Sequence, residues 1–154
     1  APVPPLDLFT AKFLVVVKLA LLTQGLVYLL FLFCGKVFAQ LPGWPDSILL
    51  LYLLRGTLGA LSIITLQLLL SMLLRSFALP IFLGLMGGIA GMLLGSKGYA
   101  LLWPHCLMQA GMNANRSADV LSGQYLPFTL SCLGWVAALF LLAAVLLRVR
   151  DVKA

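Results

Sequence analysis

Long apolar runs without alternating polarity dominate the chain. Four of them reach the roughly 20 helical residues that cross a bilayer core of about 30 Å. They predict membrane spans at about 13–35, 49–74, 77–95 and 126–147. Helices are expected rather than strands, because a helix satisfies its own backbone hydrogen bonds in lipid. The pattern therefore predicts an all-α integral membrane protein with four transmembrane helices.

The connections between the runs differ in length. Only Arg75 and Ser76 separate the second run from the third, which predicts a tight hairpin. An outer loop at 96–125 separates the third run from the fourth and contains a moderately apolar piece at 99–112. That piece is too short to span, so we expect a short interfacial or re-entrant helix there, with Trp103 at the headgroup level. Residues 1–154 then form a single transmembrane domain.

Composition supports a bilayer as the solvent and excludes several other partners. Hydrophobic residues make up 63% of the chain and charged residues 9%, against roughly 25% charged residues in soluble domains. The net charge is +6, but the basic residues are scattered singly and form no patch for nucleic acid. Three cysteines, Cys34, Cys106 and Cys132, have neither a pairing pattern nor metal-ligand spacing. We therefore expect no nucleic acid, metal or cofactor.

Lysine and arginine near the span ends predict the orientation. The side that carries both termini collects Lys12, Lys18, Arg75, Arg148, Arg150 and Lys153. The other side receives Lys36, Arg55, Lys97 and Arg116. The cluster "RVRDVK" after the last span is the firmest signal and places both ends in the cytoplasm of a multi-pass cell-membrane protein. Lys18 and Arg55 lie close to span ends, where snorkelling to the headgroups is favoured over a functional role.

Glycines are concentrated in the third span. Small residues four positions apart let another helix backbone approach closely, which makes this span a candidate packing seam. The seam comprises Gly84, Gly87, Gly88, Gly91 and Gly95. A tightly packed helix explains the pattern in a membrane protein of any function, and a subunit interface or a moving seam is the more specific alternative. Pro80 predicts a kink near the start of the same span.

Few residues are available for catalysis. His105 is the only histidine, with Cys106 beside it and Asp119 in the same loop. Adjacent residues on a helix point in different directions, whereas catalysis needs convergent side chains, so we predict a non-enzyme without catalytic residues. The stretch "LLGSKG" lacks the residue order of a phosphate loop. No acidic residue lies within a span, which argues against proton-coupled transport.

Three stretches resemble the permease subunit of the type-two ABC exporter superfamily, in particular the lantibiotic and bacteriocin immunity group. "APVPPLDLFTAKF" is similar to the cytoplasmic stretch that precedes a span in this family. "QLLLSMLLRSFALPIFLGLMGGIAGMLLG" is similar to its hairpin with a glycine-rich helix, and "LLWPHCLM" to its outer aromatic and proline segment. The resemblance covers nearly the whole chain. The family carries two further spans at its N-terminus, so the chain is expected to be the C-terminal part of a six-span subunit.

The resemblance implies a function and a set of partners. Residues 1–12 become a cytoplasmic coupling region that docks on a separate ATP-binding subunit, through Leu6, Asp7, Leu8, Phe9 and Lys12. Residues 99–112 become the outer element that shields the exit side. A second permease subunit, identical or different, completes the exporter, and the substrate is an antimicrobial peptide or another amphipathic molecule. The resemblance implies a bacterial source.

Two other classes of function compete with the exporter. A small structural or assembly protein that packs within a larger membrane complex explains the same spans and the same glycines. An intramembrane or interfacial enzyme is the third alternative, with His105 and Asp119 as its candidate residues. An ATP-binding partner favours the exporter, and co-purification with an unrelated complex favours the assembly protein.

Overall fold

The computed structural model describes residues 4–114 and 116–149, and these residues form a helical bundle. Four helices are long and apolar enough to cross a membrane, as the sequence predicts. They are α1 (Pro5–Phe33), α2 (Ile48–Leu73), α3 (Ala78–Ser96) and α5 (Tyr125–Val149). A short helix, α4 (Pro104–Gly111), lies between α3 and α5 in sequence. The expected all-α fold with four candidate spans is confirmed.

The first helix is longer than the predicted span. It begins at Pro5, because proline in the first turn has the φ of a helix and lacks only an amide hydrogen that this turn does not use. It continues through a π-helical segment, Cys34–Phe38, to give 34 residues, or about 50 Å of helix. Residues 5–12, predicted as part of a separate coupling region, are the first two turns of α1. Residues 1–3 of that region lie outside the described residues.

The four long helices alternate in direction, so both ends of the described chain lie at one end of the bundle. We call this the proximal end and the opposite one the distal end. A cluster of buried apolar side chains joins α1, α2 and α5 at the proximal end. It comprises Phe9, Leu69, Leu139, Ala143 and Leu147. The ring of Phe140 packs edge-on against Phe9 and Phe13, at centroid distances of 5.0 and 5.1 Å. Arg150 and Lys153, used for the orientation prediction, lie outside the described residues.

The hairpin of α2 and α3 is tight only at its turn. Residues 74–77 join the two helices, but α3 then packs more extensively against α4 than against α2. The two helices diverge toward the distal end because α4 occupies the space between them and packs extensively on α2. Near the turn, the Gln67 side chain of α2 bridges the two hairpin helices. Its Nε2 donates to the Pro80 carbonyl (3.0 Å) and its Oε1 accepts from the Gly84 amide (3.2 Å).

Candidate functional site: the buried helix α4 and its glycine seams

The short helix α4 begins where the chain changes direction. Trp103 is extended (φ −113°, ψ 128°), and Pro104 follows as the first helical residue. Six of the eight residues of α4 are buried in the protein. They are Pro104, His105, Cys106, Leu107, Ala110 and Gly111. The helix is therefore enclosed by the bundle rather than lying flat on its surface.

The depth of α4 can be measured along α2. Ser62 Oγ lies 3.4 Å from the Pro104 carbonyl oxygen, and Ser62 is 14 residues after Ile48, the first residue of α2. At 1.5 Å per residue this is about 21 Å from the distal end of α2, a helix about 39 Å long. At its other end, Gly111 packs against the backbone of Arg55, about two turns farther out. Of the two expected arrangements, interfacial or re-entrant, these contacts favour the re-entrant helix.

The contact between α2 and α4 is made by backbone on backbone. A Cβ atom added to Gly59 would lie 2.5 Å from the carbonyl carbon and oxygen of Leu107. A Cβ atom on Gly111 would lie 2.5 Å from the carbonyl oxygen of Arg55. Gly56 faces the Met112 side chain at the same seam. Only glycine fits at Gly59 and Gly111 without a shift of a helix backbone, so this seam is rigid.

These glycines of α2 were absent from the predicted seam, which was placed on α3 alone. A signal for them exists in the sequence, because Gly56, Gly59 and Ser62 recur at intervals of three residues. That spacing places small residues along one face of a helix, and all three are buried.

The seam between α3 and α4 uses two of the predicted glycines directly. A Cβ atom on Gly87 would lie 2.6 Å from Cε1 of His105, and one on Gly91 would lie 3.1 Å from Cβ of His105. Side-chain hydrogen bonds reinforce the contact from α4 to α3. Trp103 Nε1 donates to the Gly87 carbonyl (3.0 Å), and Cys106 Sγ donates to the Gly91 carbonyl (2.9 Å). Trp103, predicted at the headgroup level, is therefore an internal link between two helices.

The other three predicted glycines have different surroundings. Gly84 faces the Gln67 amide of α2, whereas a Cβ atom on Gly95 would lie 4.0 Å from Cys106 Sγ. Gly88 has no described atom within 4 Å of its Cβ position, so it packs against no helix of the described residues, and its place in a seam with another subunit stays a prediction. The reason is the helical period, since Gly88 lies about 100° around α3 from Gly87.

His105 is buried without hydrogen-bond partners. Its side chain is only 8% exposed, and it stacks on Trp103 at a ring-centroid distance of 6.2 Å. Both ring nitrogens lack a partner among the described residues. A neutral imidazole ring has one donor and one acceptor nitrogen.

Arg55 forms an ion pair that sequence reasoning missed. Its Nη1 lies 3.0 Å from Oδ2 of Asp119, and the two side chains are 13% and 19% exposed. Tyr125 donates its hydroxyl to the same carboxylate (3.0 Å) and lies under the guanidinium, 4.3 Å from ring centroid to Cζ. Arg55 is thus held by protein groups, and the expectation that it only snorkels to the headgroups is wrong. The pair joins the distal part of α2 to the loop that precedes α5.

The Asp119 carboxylate is stabilised in its charged form. Burial raises the pKa of Asp119, but the hydrogen bonds from Arg55, the Leu121 amide and Tyr125 outweigh burial and hold that pKa below its ordinary value. His105 and Asp119 were the candidate residues for the enzyme alternative. They are not a hydrogen-bonded pair, because the two His105 nitrogens have no partner among the described residues.

Side chains from α5 and its preceding loop complete the setting of α4. Leu107 packs in a buried cluster with Leu121, Phe128 and Cys132. Ser131 of α5 donates its hydroxyl to the Leu101 carbonyl just before α4. The helix α4 therefore contacts α2, α3 and α5, and an α4 displacement changes all three packing surfaces.

The predicted coupling residues lie at the proximal end, but they are not equally accessible. Phe9 is fully buried in the proximal cluster, so it offers no surface for direct contact in this conformation, and its predicted place in a coupling region stays a prediction. Its large apolar ring is instead used for packing between helices, as expected for an aromatic side chain with a core within reach. Leu6 and Leu8 are partly buried, whereas Asp7 and Lys12 are exposed.

Neither ligand chemistry nor similarity identifies the function of this site directly. Within residues 4–114 and 116–149, no group of three histidine, cysteine or acidic residues is placed to hold a metal ion. No protein-family model, curated protein or solved structure matches the chain. Function is therefore inferred from the position of α4 and from the two seams that hold it.

Proposed function

We propose that the chain is a membrane-spanning permease subunit of an ATP-driven exporter, in which a separate subunit hydrolyses ATP. The observation that carries the proposal is the position of α4. It is a short helix between the third and fourth candidate spans, buried in the distal half of the bundle. This is where the family resemblance places an outer element that shields the exit side. A bacterial multi-pass cell-membrane protein with both ends in the cytoplasm is the corresponding setting.

The two seams of α4 suggest which surface opens during transport. The seam with α2 consists of backbone contacts at Gly59 and Gly111 and has no room for sliding. The seam with α3 consists mainly of contacts between Gly87, Gly91 and the His105 side chain, and of two side-chain hydrogen bonds, from Trp103 and Cys106, each worth about 1 kcal/mol in a membrane. Opening between α3 and α4 is thus the less costly movement.

The proximal end offers a route from a partner to the bundle. Asp7 and Lys12 are exposed on the first turns of α1, where an ATP-binding subunit could dock. Phe9 lies on the same turns and is packed against α2 and α5 through Leu69 and Leu147. A force applied to the exposed residues of α1 would therefore reach α2 and α5, two of the three helices that contact α4.

Much of α1 is free to contact a second permease subunit, identical or different. None of the residues in its most apolar window is buried inside the chain. In a membrane such a surface is covered by lipid or by another protein. The substrate proposed from the resemblance is an antimicrobial peptide or another amphipathic molecule.

A reversible crosslink tests the proposed movement. A Cβ atom at Gly95 lies 4.0 Å from Cys106 Sγ, so Gly95→Cys can form a disulfide with the native cysteine after oxidation by copper phenanthroline. The experiment uses the parent subunit with Cys34→Ser, purified in mild detergent with its partners. We expect oxidation to abolish substrate-stimulated ATP hydrolysis and reductant to restore it. Gly88→Cys is the control, because its Cβ position faces no described atom within 4 Å.

The same purification distinguishes the exporter from the structural or assembly protein. That alternative is favoured by the unburied α1 surface, which suits a larger complex of any kind. Recovery of a stoichiometric ATP-binding subunit that is lost when Asp7 and Lys12 are replaced supports the exporter. Recovery of an unrelated complex without such a subunit overturns it. Full ATPase coupling in the oxidised Gly95→Cys protein overturns only the proposed opening between α3 and α4.

A further inference from the structure

A cavity lies at the proximal end of the bundle. It has a volume of about 420 Å³ and lies at the turn between α2 and α3. Its wall includes Ser71 and Leu74 from α2 and the turn, Arg75 and Phe77 from the turn, and Ile81 from α3. The volume is within the range of about 300–1,000 Å³ that is typical of ligand pockets.

The cavity follows from how the hairpin is built. The wedge formed by α4 makes α2 and α3 diverge, and the two helices meet closely only where Gln67 contacts Pro80 and Gly84. The Gln67 amide is fully engaged there, so it closes the inner end of the cavity instead of offering a free polar group. The lining that remains is mostly apolar, apart from Arg75 and the two serines of the turn region.

Arg75 is the charged group of the cavity. Its side chain is exposed, and no hydrogen bond or ion pair joins it to any residue within 4–114 or 116–149. Arginine presents a planar array of donors that matches a phosphate group in a bidentate manner. Ser76 beside it adds a hydroxyl donor, while the Ser71 hydroxyl already donates to the Leu68 carbonyl (2.7 Å).

Apolar surface continues from Arg75 along the cavity. Phe77 is 87% exposed, the most exposed large hydrophobic side chain of the described chain, and Ile81 is 57% exposed. In a chain that crosses a membrane, this surface meets acyl chains, while Arg75 lies at the helix ends, where headgroups are expected. A ligand that combines a phosphate with a hydrocarbon chain satisfies both parts of the lining.

The geometry points to a binding site for an anionic phospholipid at the turn between α2 and α3. The phosphate lies on the Arg75 guanidinium and the Ser76 hydroxyl, and one acyl chain lies against Leu74, Phe77 and Ile81. The anionic class is favoured because Arg75, Lys12 and Arg148 are described cations of the proximal end, and basic residues near a membrane surface attract anionic lipids. The site requires only that the helices span a membrane and is independent of the exporter proposal.

Lipid retention by the purified chain tests the site. The protein is equilibrated in detergent with phosphatidylglycerol or phosphatidylcholine of equal chain length, and bound lipid is counted by native mass spectrometry. We expect the wild type to retain phosphatidylglycerol in preference, and Arg75→Gln to weaken that retention about fivefold, the factor expected for one basic residue near the surface. Lys97→Gln is the matched control, since Lys97 is an exposed cation at the opposite end of α3.

Two further measurements separate a lipid site from a simple anion site. Ser71→Phe keeps Arg75 but fills the cavity, and it is expected to reduce lipid retention while leaving the thermal unfolding of lipid-free protein unchanged. Inorganic phosphate at millimolar concentration is expected not to displace the lipid, because it lacks the acyl chain. Equal retention by Arg75→Gln and the wild type, equal retention of the two lipids, or displacement by inorganic phosphate overturns the assignment.

Discussion

The rigid seam between α2 and α4 gives the sharpest prediction, through Gly59→Ala. The added Cβ atom would lie 2.5 Å from the Leu107 carbonyl, so α4 has to move by about 1 Å to reach ordinary contact at 3.4 Å or more. Overpacking of this kind lowers the free energy of unfolding by about 1–3 kcal/mol. The higher helix propensity of alanine offsets up to about 1 kcal/mol of that loss. The net loss of about 1–2 kcal/mol corresponds to a melting temperature lower by about 2–8 °C for a chain of this size.

Buried cysteines provide the assay for this variant. Cys106 and Cys132 are almost completely buried, whereas Cys34 is exposed and is replaced by serine. A thiol-reactive dye then reports unfolding as the two buried thiols become accessible. Gly88→Ala is the control, and its melting temperature is expected to stay unchanged or to rise, because nothing lies within 4 Å of the added atom. A Gly59→Ala melting temperature equal to or above that of Gly88→Ala would refute the backbone contact.

Three further predictions concern the ion pair, the proximal cluster and the hairpin. Arg55→Gln and Asp119→Asn are each expected to lower the free energy of unfolding by about 1.5–3 kcal/mol. In a double-mutant cycle, the double mutant should lose clearly less stability than the sum of the two single losses. The folded pKa of Asp119 lies below its unfolded value of about 3.9, so this stability is complete above about pH 5 and is lost as pH falls further. Melting curves recorded at each pH should show a shallower acid decline in Asp119→Asn. Phe9→Ala is expected to lower the free energy of unfolding by about 3–5 kcal/mol, measured by the thiol assay. Lys12→Gln is expected to change stability little and to weaken recovery of the ATP-binding subunit. Equal stability of the two variants would contradict the core role of Phe9. Gln67→Leu removes the hydrogen bonds to α3 and is expected to lower the free energy of unfolding by about 1 kcal/mol. An unchanged melting temperature would count against that bridge.

The predicted glycine seam shows how far sequence reasoning reaches within a helix. Composition and spacing identify α3 as a helix with a small-residue surface, and Gly87 and Gly91 do face another helix. Spacing alone leaves the partner open, and here it is α4, not a second long helix. Gly88 belongs to the same sequence pattern, but its position around α3 turns it away from α4.

Arg55 shows why long-range pairing escapes a reading of local sequence. Its position near a span end is typical of a snorkelling residue. Its carboxylate partner, Asp119, is 64 residues away in a loop without regular structure. Nothing in either segment indicates the other, because the pairing depends on how α5 and its preceding loop fold back against α2.

The sequence by itself determined the helical class, the four candidate spans and the existence of a short element between the last two. These properties are local, since a run of about 20 apolar residues must satisfy its own backbone hydrogen bonds wherever it lies in a membrane. Only the tertiary structure decided that α4 enters the bundle, that Gly59 and Gly111 hold it, and that Phe9 is internal. Those features depend on contacts between segments distant in the chain, and apolar residues specify burial without specifying a partner.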